Sequence, residues 1–309
     1  MTEARSRKDN AMRPSPFRYT VPTSLNELIS QLADSGEEAM LLAGGQSLIP
    51  MLKLRLFRPS HLIDLGGLSE LTGIRSTQAA EEPSGLVLGA MTRHAQVAAS
   101  SQVIDHCPLL AAAAASIGDP HVRNRGTIGG NICHGDPGGV FPVTVMALDA
   151  ILTVVGPEGT RHAPAQEFFI DFLTTDLGPG EVLSHIAVPA PAIPRGWAFL
   201  ELRQRRLDLP VLVVGVQVQA SSSGAIQQAR IVLGGSGMVP LRLEAAEEAV
   251  TGQVPGEALA RVAEPLIRDG VEPKDNDLAS ADYQREMAGV FGRRALIQAM
   301  TRLASGEKV

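Results

Sequence analysis

Two glycine pairs in polar surroundings carry the residues best suited to chemistry. The first lies in Ala43-Gly44-Gly45-Gln46-Ser47, which leads into Leu48-Ile49-Pro50-Met51. The second lies in Thr127-Ile128-Gly129-Gly130-Asn131. Each runs from a small or apolar residue through Gly-Gly to a polar side chain. Glycine admits positive φ and lets another molecule approach the backbone closely. Successive N–H groups in such a turn form a concave donor site for an anion. Two turns of this kind, far apart in the chain, suit the two phosphates of one dinucleotide. Taken singly, either run is equally a tight turn with no ligand.

Gly118–Gly139 reads as one long polar loop holding the second pair, and Arg123 to Gly139 is its most specific stretch. Arg123 and Arg125 suit a phosphate or the carboxylates that would fix the loop. Thr127 and Asn131 suit hydrogen bonds to a cofactor or to the turn itself. Cys133, His134 and Asp136 offer three metal-ligating types within four residues, which is not a standard metal spacing. Adjacent side chains of an extended segment point apart, so a Cys133–His134 catalytic pair is not expected. His134 and Asp136 are expected to shape the loop beside a cofactor. Lys53 and Arg55 read as phosphate or partner contacts, or as a solvated basic face. Arg203-Gln204-Arg205-Arg206-Leu207-Asp208 reads as an internal ion-pair network or a cofactor edge. No G-x-G-x-x-G joins a strand to a helix, and no Walker A motif is present.

The elements that must position these residues follow from periodicity. A strand is expected over Phe17–Val21, then a helix from Leu25 to about Ala33 with Ser24 and Glu27 as a capping box. A buried strand over Ala39–Ala43 delivers the first glycine pair, and Leu62–Leu65 is a further strand. Leu86–Leu88 reads as a strand, with Thr92 capping the next helix. Pro108–Ser116 and Val143–Ala150 read as helices. Ile151–Val155, Phe168–Leu173 and Val182–Val188 complete this unit. Pro189, Pro191 and Pro194 mark a linker. Beyond it come β-rich runs at Trp197–Leu202, Val211–Gln219 and Ala229–Leu233, then helices around Arg242–Val250 and Tyr283–Leu303. Strands followed by helices predict a separate C-terminal α+β domain.

Composition removes several function classes. The net charge of −6 argues against general nucleic-acid binding, and 4% aromatics argues against stacking of single-stranded bases. Two cysteines, Cys107 and Cys133, exclude a disulfide scaffold and point to a reducing, cytoplasmic setting. An iron–sulfur cluster takes about four cysteine ligands, so this chain alone cannot hold one. No apolar run approaches the roughly 20 residues needed to span a bilayer. Residues 1–15 lack a signal-peptide apolar region and read as a disordered tail.

Together these segments resemble the medium, FAD-binding subunit of molybdenum hydroxylases, the carbon monoxide dehydrogenase / xanthine dehydrogenase family. Ala43 to Met51 with Leu54-Arg55-Leu56 resembles the first FAD motif, and Arg123 to Asn131 resembles the second. Ile63-Asp64-Leu65, Ala147-Leu148-Asp149-Ala150, Ala229 to Gly235 and Arg293-Arg294-Ala295-Leu296 add to the similarity, which covers roughly residues 16–304. The resemblance implies an α+β chain. A vanillyl-alcohol-oxidase/PCMH-type FAD-binding domain spans 16–190, in subdomains of about 16–70 and 71–190. A C-terminal α+β domain spans 195–305. It implies FAD contacts from Leu42, Ala43, Gly44, Gly45, Gln46, Ser47 and Leu48. In the second motif it implies contacts from Thr127, Gly129, Gly130, Asn131, Cys133 and Asp136, with Ile132 and Cys133 near the flavin ring.

Two positions depart from the family pattern. Val140 stands where the family commonly carries an acid for the FAD ribose; losing one such hydrogen bond is worth about 1–2 kcal/mol. Leu207-Asp208-Leu209-Pro210 stands where Gly-Asp-Phe-Ala is frequent. The resemblance further implies electron transfer from a small [2Fe-2S] subunit through FAD to an external acceptor. A large subunit would carry the molybdenum cofactor, in a dimer of heterotrimers. No acid–base catalyst and no metal ligand is expected in this chain. The alternatives are a stand-alone FAD oxidoreductase and a structural subunit that has lost FAD.

Overall fold

The computed structural model describes residues 13–77, 85–190 and 195–306. Most of the expected tail, and Pro191 and Pro194 of the expected linker, lie outside the described residues. The first layer is a three-stranded parallel sheet in the order β1 (Arg18–Thr20), β3 (His61–Asp64), β2 (Ala39–Leu42). Helix α1 (Leu25–Ser35) connects β1 to β2, and α2 (Leu48–Lys53) follows β2. The α1 start follows the sequence with one change. Ser24 Oγ accepts from Glu27 N at 3.2 Å, but the Glu27 carboxylate takes the Thr23 N–H at 2.8 Å instead of that of Ser24. Leu28 and Leu32 of α1 pack with Ile63, Leu65 and Leu71 in a small core.

The middle layer is an antiparallel sheet in the order β4 (Ile74–Thr77), β5 (Gly85–Gly89), β10 (Val182–Pro189), β6 (Ile151–Gly156), β7 (Gly159–Pro164). Between β5 and β6 run six short helices: α3 (His94–Ala99), α4 (Ser101–His106), α5 (Pro108–Ser116), α6 (Pro120–Arg125), α7 (Ile128–His134) and α8 (Val140–Ala147). The expected polar loop from Gly118 to Gly139 is therefore two helices, α6 and α7. Asp119 caps α6 by accepting from His121 N and Val122 N, and Thr127 caps α7. Such short caps leave no periodic apolar stripe for sequence reading to find. Thr92 is not the cap of α3: its hydroxyl donates to the Gly73 carbonyl at 3.0 Å, and Arg93 holds the N-cap position. After β7 come α9 (Ala165–Phe168) and a hairpin of β8 (Phe169–Asp171) and β9 (Thr174–Thr175).

The last layer is an antiparallel meander of β11 (Arg195–Leu202), β12 (Leu212–Ala220), β13 (Ile226–Gly235) and β14 (Met238–Arg242). Helices α10 (Glu244–Val250), α11 (Glu257–Asp269) and α12 (Ala281–Ser305) cover one face. Strand β14 and helix α11 have no counterpart in the sequence reading. Gly196 lets α12 approach β11, since a Cβ there would meet the Ala299 carbonyl oxygen at 1.8 Å.

Every residue of α8 is buried. A helix apolar all round must lie between two layers, and α8 does. Val143 meets Gly215 and Gly234 of the last sheet, where added Cβ atoms would stand 3.2 and 2.8 Å from its methyls. Val213 and Val232 of that sheet belong to the same core as the middle layer.

Candidate functional site

Strand β2 carries Leu42 to its C-terminal end, and the chain then bends through Ala43, Gly44 and Gly45 into Gln46-Ser47 and the first turn of α2 at Leu48. Gly45 has φ +76°, the left-handed conformation that glycine adopts without strain. Gly44 is buried, whereas Gln46 and Ser47 are exposed. Among the described residues, none of the successive N–H groups of Gly45, Gln46, Ser47 and Leu48 donates to a protein acceptor. A row of unspent amide donors at a bend is an anion-binding nest.

The second motif opens α7. The Thr127 side chain accepts from Gly130 N at 3.1 Å, so its hydroxyl serves as the cap. Gly129 donates to the Ala90 carbonyl at 2.8 Å, and a Cβ on Gly129 would stand 2.5 Å from the Ala90 methyl. Asn131 is the residue left over: its Oδ1 is buried and has no partner among the described residues. Buried polar atoms are nearly always satisfied, so an orphan at this place fits a ligand that supplies the donor.

The fold brings the two motifs together. A Cβ on Gly44 would meet the Arg125 carbonyl oxygen at 2.4 Å and the Gly126 Cα at 2.7 Å. A Cβ on Gly130 would approach the Ala43 methyl at 3.3 Å. The absent side chains are what allow the bend after β2 to lie against the start of α7. The nest and the start of α7 thus flank one seam between the first and middle layers, and the orphaned Asn131 Oδ1 lies further along α7, beside Gly139.

The C-terminal turn of α7 holds Cys133 and His134, and Gly135 ends it at φ +62°. Cys133 is half-buried, and removal from water pushes its thiol up to about 12. It is therefore a neutral thiol at physiological pH and not a nucleophile. Asp136 Oδ1 accepts from Gly138 N at 2.8 Å, and His134 Nε2 lies 4.0 Å from its other oxygen. Asp136 thus ties the turn, and among the described residues the His134 ring makes no hydrogen bond in it. Among the described residues no three His, Cys, Asp or Glu side chains are grouped to hold a metal. Val140 is buried at the first position of α8, beyond that turn.

The basic residues resolve differently from expectation. Arg123 Nη1 donates to the Ile117 and Gly118 carbonyls, each at 3.0 Å, so it fixes the loop through backbone, and its charge is felt by the Asp119 carboxylate. Arg125 serves through its carbonyl, which accepts from the Arg93 guanidinium. Arg203 pairs with Glu201 and donates to the Asp208 carbonyl, the internal network of the two readings offered for that cluster. Lys53 and Arg55 lie at the end of α2 opposite the nest, where Arg55 has φ +56° and donates to the Arg13 carbonyl at 3.1 Å.

Sequence reading missed Ala90, Arg93 and His94, which support α7 from behind and carry no motif. His94 lies under Gly126, where a Cβ would meet its Nε2 at 2.5 Å, and its ring packs on Phe141 at 5.2 Å. Burial pushes its pKa down to about 4, with the Arg93 charge adding to the effect.

Comparisons with known proteins supply the family. Residues 15–191 match the FAD binding domain in molybdopterin dehydrogenase. The chain belongs to the medium, FAD-binding subunits of the molybdenum hydroxylase family. Residues 197–299 of this medium subunit match the CO dehydrogenase flavoprotein C-terminal domain. It is 40% identical over 294 residues to the carbon monoxide dehydrogenase medium chain of Hydrogenophaga pseudoflava, covering 95% of this chain and 100% of that one. It is 30% identical over 301 residues to the xanthine dehydrogenase FAD-binding subunit of Escherichia coli O157:H7, covering 94% and 98%. Among solved structures it superposes on carbon monoxide dehydrogenase from Hydrogenophaga pseudoflava with a TM-score of 0.89, at 40% identity, covering 94% of this chain and 99% of that one. It superposes on quinoline 2-oxidoreductase from Pseudomonas putida 86 with a TM-score of 0.86, at 33% identity, covering 94% and 99%. The medium subunit is thus an oxidoreductase subunit of α+β fold, with a PCMH-type FAD-binding part and a CO dehydrogenase flavoprotein C-terminal part. Among the described residues, no helix is long and apolar enough to cross a membrane.

Proposed function

We propose that this medium subunit holds FAD across the seam between its first and middle layers and passes electrons through it to an external acceptor. The observation that carries the reading is the meeting of the two glycine motifs, with four unspent N–H groups at the first and the orphaned Asn131 Oδ1 on the helix that the second opens. Bound FAD supplies the redox chemistry, and the protein supplies position and electrostatics. The Gly45–Leu48 amides would hold a phosphate, with Leu42, Ala43 and Gly44 forming the floor beneath it. Gly129 and Gly130 let the cofactor lie close to α7, Thr127 fixes that helix start, and Asn131 accepts a hydrogen bond. Cys133, with Ile132, would lie near the flavin ring, and Asp136 would contact the cofactor from the turn beyond. The flavin-binding part would run over 16–190, with its subdomains divided near residue 70, and the C-terminal part over 195–305.

The partners follow from the same reading. Relatives are named as medium chains or subunits of complexes. This chain, with two cysteines, needs a separate [2Fe-2S] subunit to feed its flavin and a molybdenum-cofactor subunit to oxidise substrate. A dimer of such heterotrimers in the cytoplasm fits a chain whose two thiols are unpaired.

A visible spectrum of the purified chain, followed by heat release and chromatography of the flavin, tests the reading. One FAD per chain is expected, with substrate bleaching it only when both partner subunits are present. A colourless chain that stays empty in excess FAD, alone and in the complex, would make it a structural subunit. Bleaching by a small substrate without partners would make it a stand-alone oxidoreductase.

A further inference from the structure

A second site lies away from the flavin seam, where the last sheet faces the middle layer. A cavity of about 260 Å³ is lined by Leu148, Asp149, Pro189, Ala190, Arg195, Gln217, Gln219 and Gln228. Three of these form a row, since Arg195 pairs with Gln219 and Gln219 with Gln228 across β11, β12 and β13. Two residues along, Trp197, Gln217 and Arg230 form the next row on the same face. The opposite face carries Gly196, Val218 and Ala229, turned toward α12. A polar grid thus stands where the neighbouring positions of the sheet are apolar.

The charges in the grid do not cancel. Arg230 is spent on Asp149, its Nε donating to both carboxylate oxygens at 2.7 and 2.8 Å. Arg195 is half-buried, and no carboxylate, carbonyl or hydroxyl partner holds its guanidinium among the described residues. The one carboxylate on the cavity, Asp149, is held by Arg230, and the two titratable groups coupled to Arg195, Cys107 and His106, supply no negative charge. Burial pushes the Cys107 thiol up to about 12, and the His106 ring rests on the Val188 carbonyl at 3.2 Å. Gln217 is only 7% exposed, and its amide likewise has no protein partner among the described residues. An amide and a guanidinium without protein partners among the described residues, both facing one cavity, are donors and an acceptor free to take a ligand.

We propose that this cavity is a binding site for a small carboxylate, held by the Arg195 guanidinium and the Gln217 amide. The guanidinium fork matches the two carboxylate oxygens. Gln217 and Gln219 can each donate and accept, so they suit a hydroxyl or a second oxygen on the same molecule. Leu148, Pro189 and Ala190 supply apolar wall for a short carbon chain. A free metabolite and an acidic side chain of a neighbouring subunit share this chemistry. The site stands on residues remote from the FAD motifs and does not depend on the flavin reading.

Calorimetric titration of the full-length chain with acetate, succinate and inorganic phosphate, in chloride buffer, tests it. One saturable carboxylate site is expected, with affinity lowered about 10- to 100-fold in Arg195→Gln. Gln217→Leu, which keeps the volume of the side chain, should weaken binding in the same direction. Melting curves show that each variant is folded, and an unfolded Arg195→Gln leaves Gln217→Leu to decide. Repeating the titration on the assembled complex distinguishes the sources. Binding there as well indicates a free metabolite; binding by the isolated chain alone indicates a partner's carboxylate. No saturable binding tighter than about millimolar by either form, or binding unchanged in the folded variants, overturns the proposal.

Discussion

At the scale of the residue, the flavin seam depends on atoms that are missing as much as on atoms that are present. Gly44 has no room for a methyl group against the Arg125 carbonyl. Gly44→Ala must push the two motifs apart, an overpacking worth about 1–3 kcal/mol. Its flavin-to-protein ratio should fall well below that of the unaltered chain, and full occupancy would show that the contact is dispensable. Val140 poses the opposite question. An acid there would be buried at the start of α8 while FAD is absent, and would gain a hydrogen-bond partner when FAD is present. Val140→Asp is expected to lower the melting temperature of the flavin-free chain. It should also tighten FAD by about tenfold, the worth of one hydrogen bond of 1–2 kcal/mol. His94 sets a pH dependence. Its folded pKa, about 4, lies below the ordinary 6.5, so the unfolded chain binds the proton more readily. Its contribution is fully present above pH 6.5 and is lost as pH falls toward 4, to the extent of about 3 kcal/mol. Urea melts at several pH values should show this slope in the unaltered chain and a shallower one in His94→Gln.

At the scale of the element, short helices do the positioning. Helix α7 is held by its Thr127 cap, by Ala90 behind Gly129, and by Gly135 at its end. None of these contacts has helical periodicity, which is why the segment reads as loop in sequence. The last layer is fastened differently. Glu247 of α10 is buried and accepts from Ile231 N at 2.9 Å. It also pairs with Arg242, and Arg230 stands 3.8 Å away. Removing one partner from such a buried ionic cluster costs about 3–5 kcal/mol, because the remaining charges stay out of water. Glu247→Ala should lower the unfolding midpoint in urea accordingly, with flavin content per folded chain unchanged. A loss of only a few tenths of a kcal/mol would mean that water replaces the carboxylate.

At the scale of the whole molecule, α8 joins what the sequence divides. The prolines near residue 190 suggest a break, yet Val213 and Val232 from beyond it share a core with the middle layer. A chain ending at residue 190 would leave the α8 face that meets Gly215 and Gly234 open to water. That fragment should aggregate or melt below the full chain, and calorimetry of the full chain should show the middle and last layers unfolding together. Two well-separated transitions, with the fragment as stable as its parent, would mean that this packing contributes little.

The family, the α+β class and the two glycine-rich bends that meet in the fold were legible in the sequence. These rest on local chemistry: Gly-Gly pairs beside polar side chains, and apolar runs of strand or helix length. Helix α1 and its Ser24 cap were legible for the same reason. Tertiary structure alone decided which of the marked residues still has a valence to offer. Thr127 spends its hydroxyl on Gly130, Arg123 turns one nitrogen to two carbonyls, and Asn131 Oδ1 is left open. Each of those outcomes depends on where the chain folds relative to the side chain, and spacing along one sequence does not carry that distance.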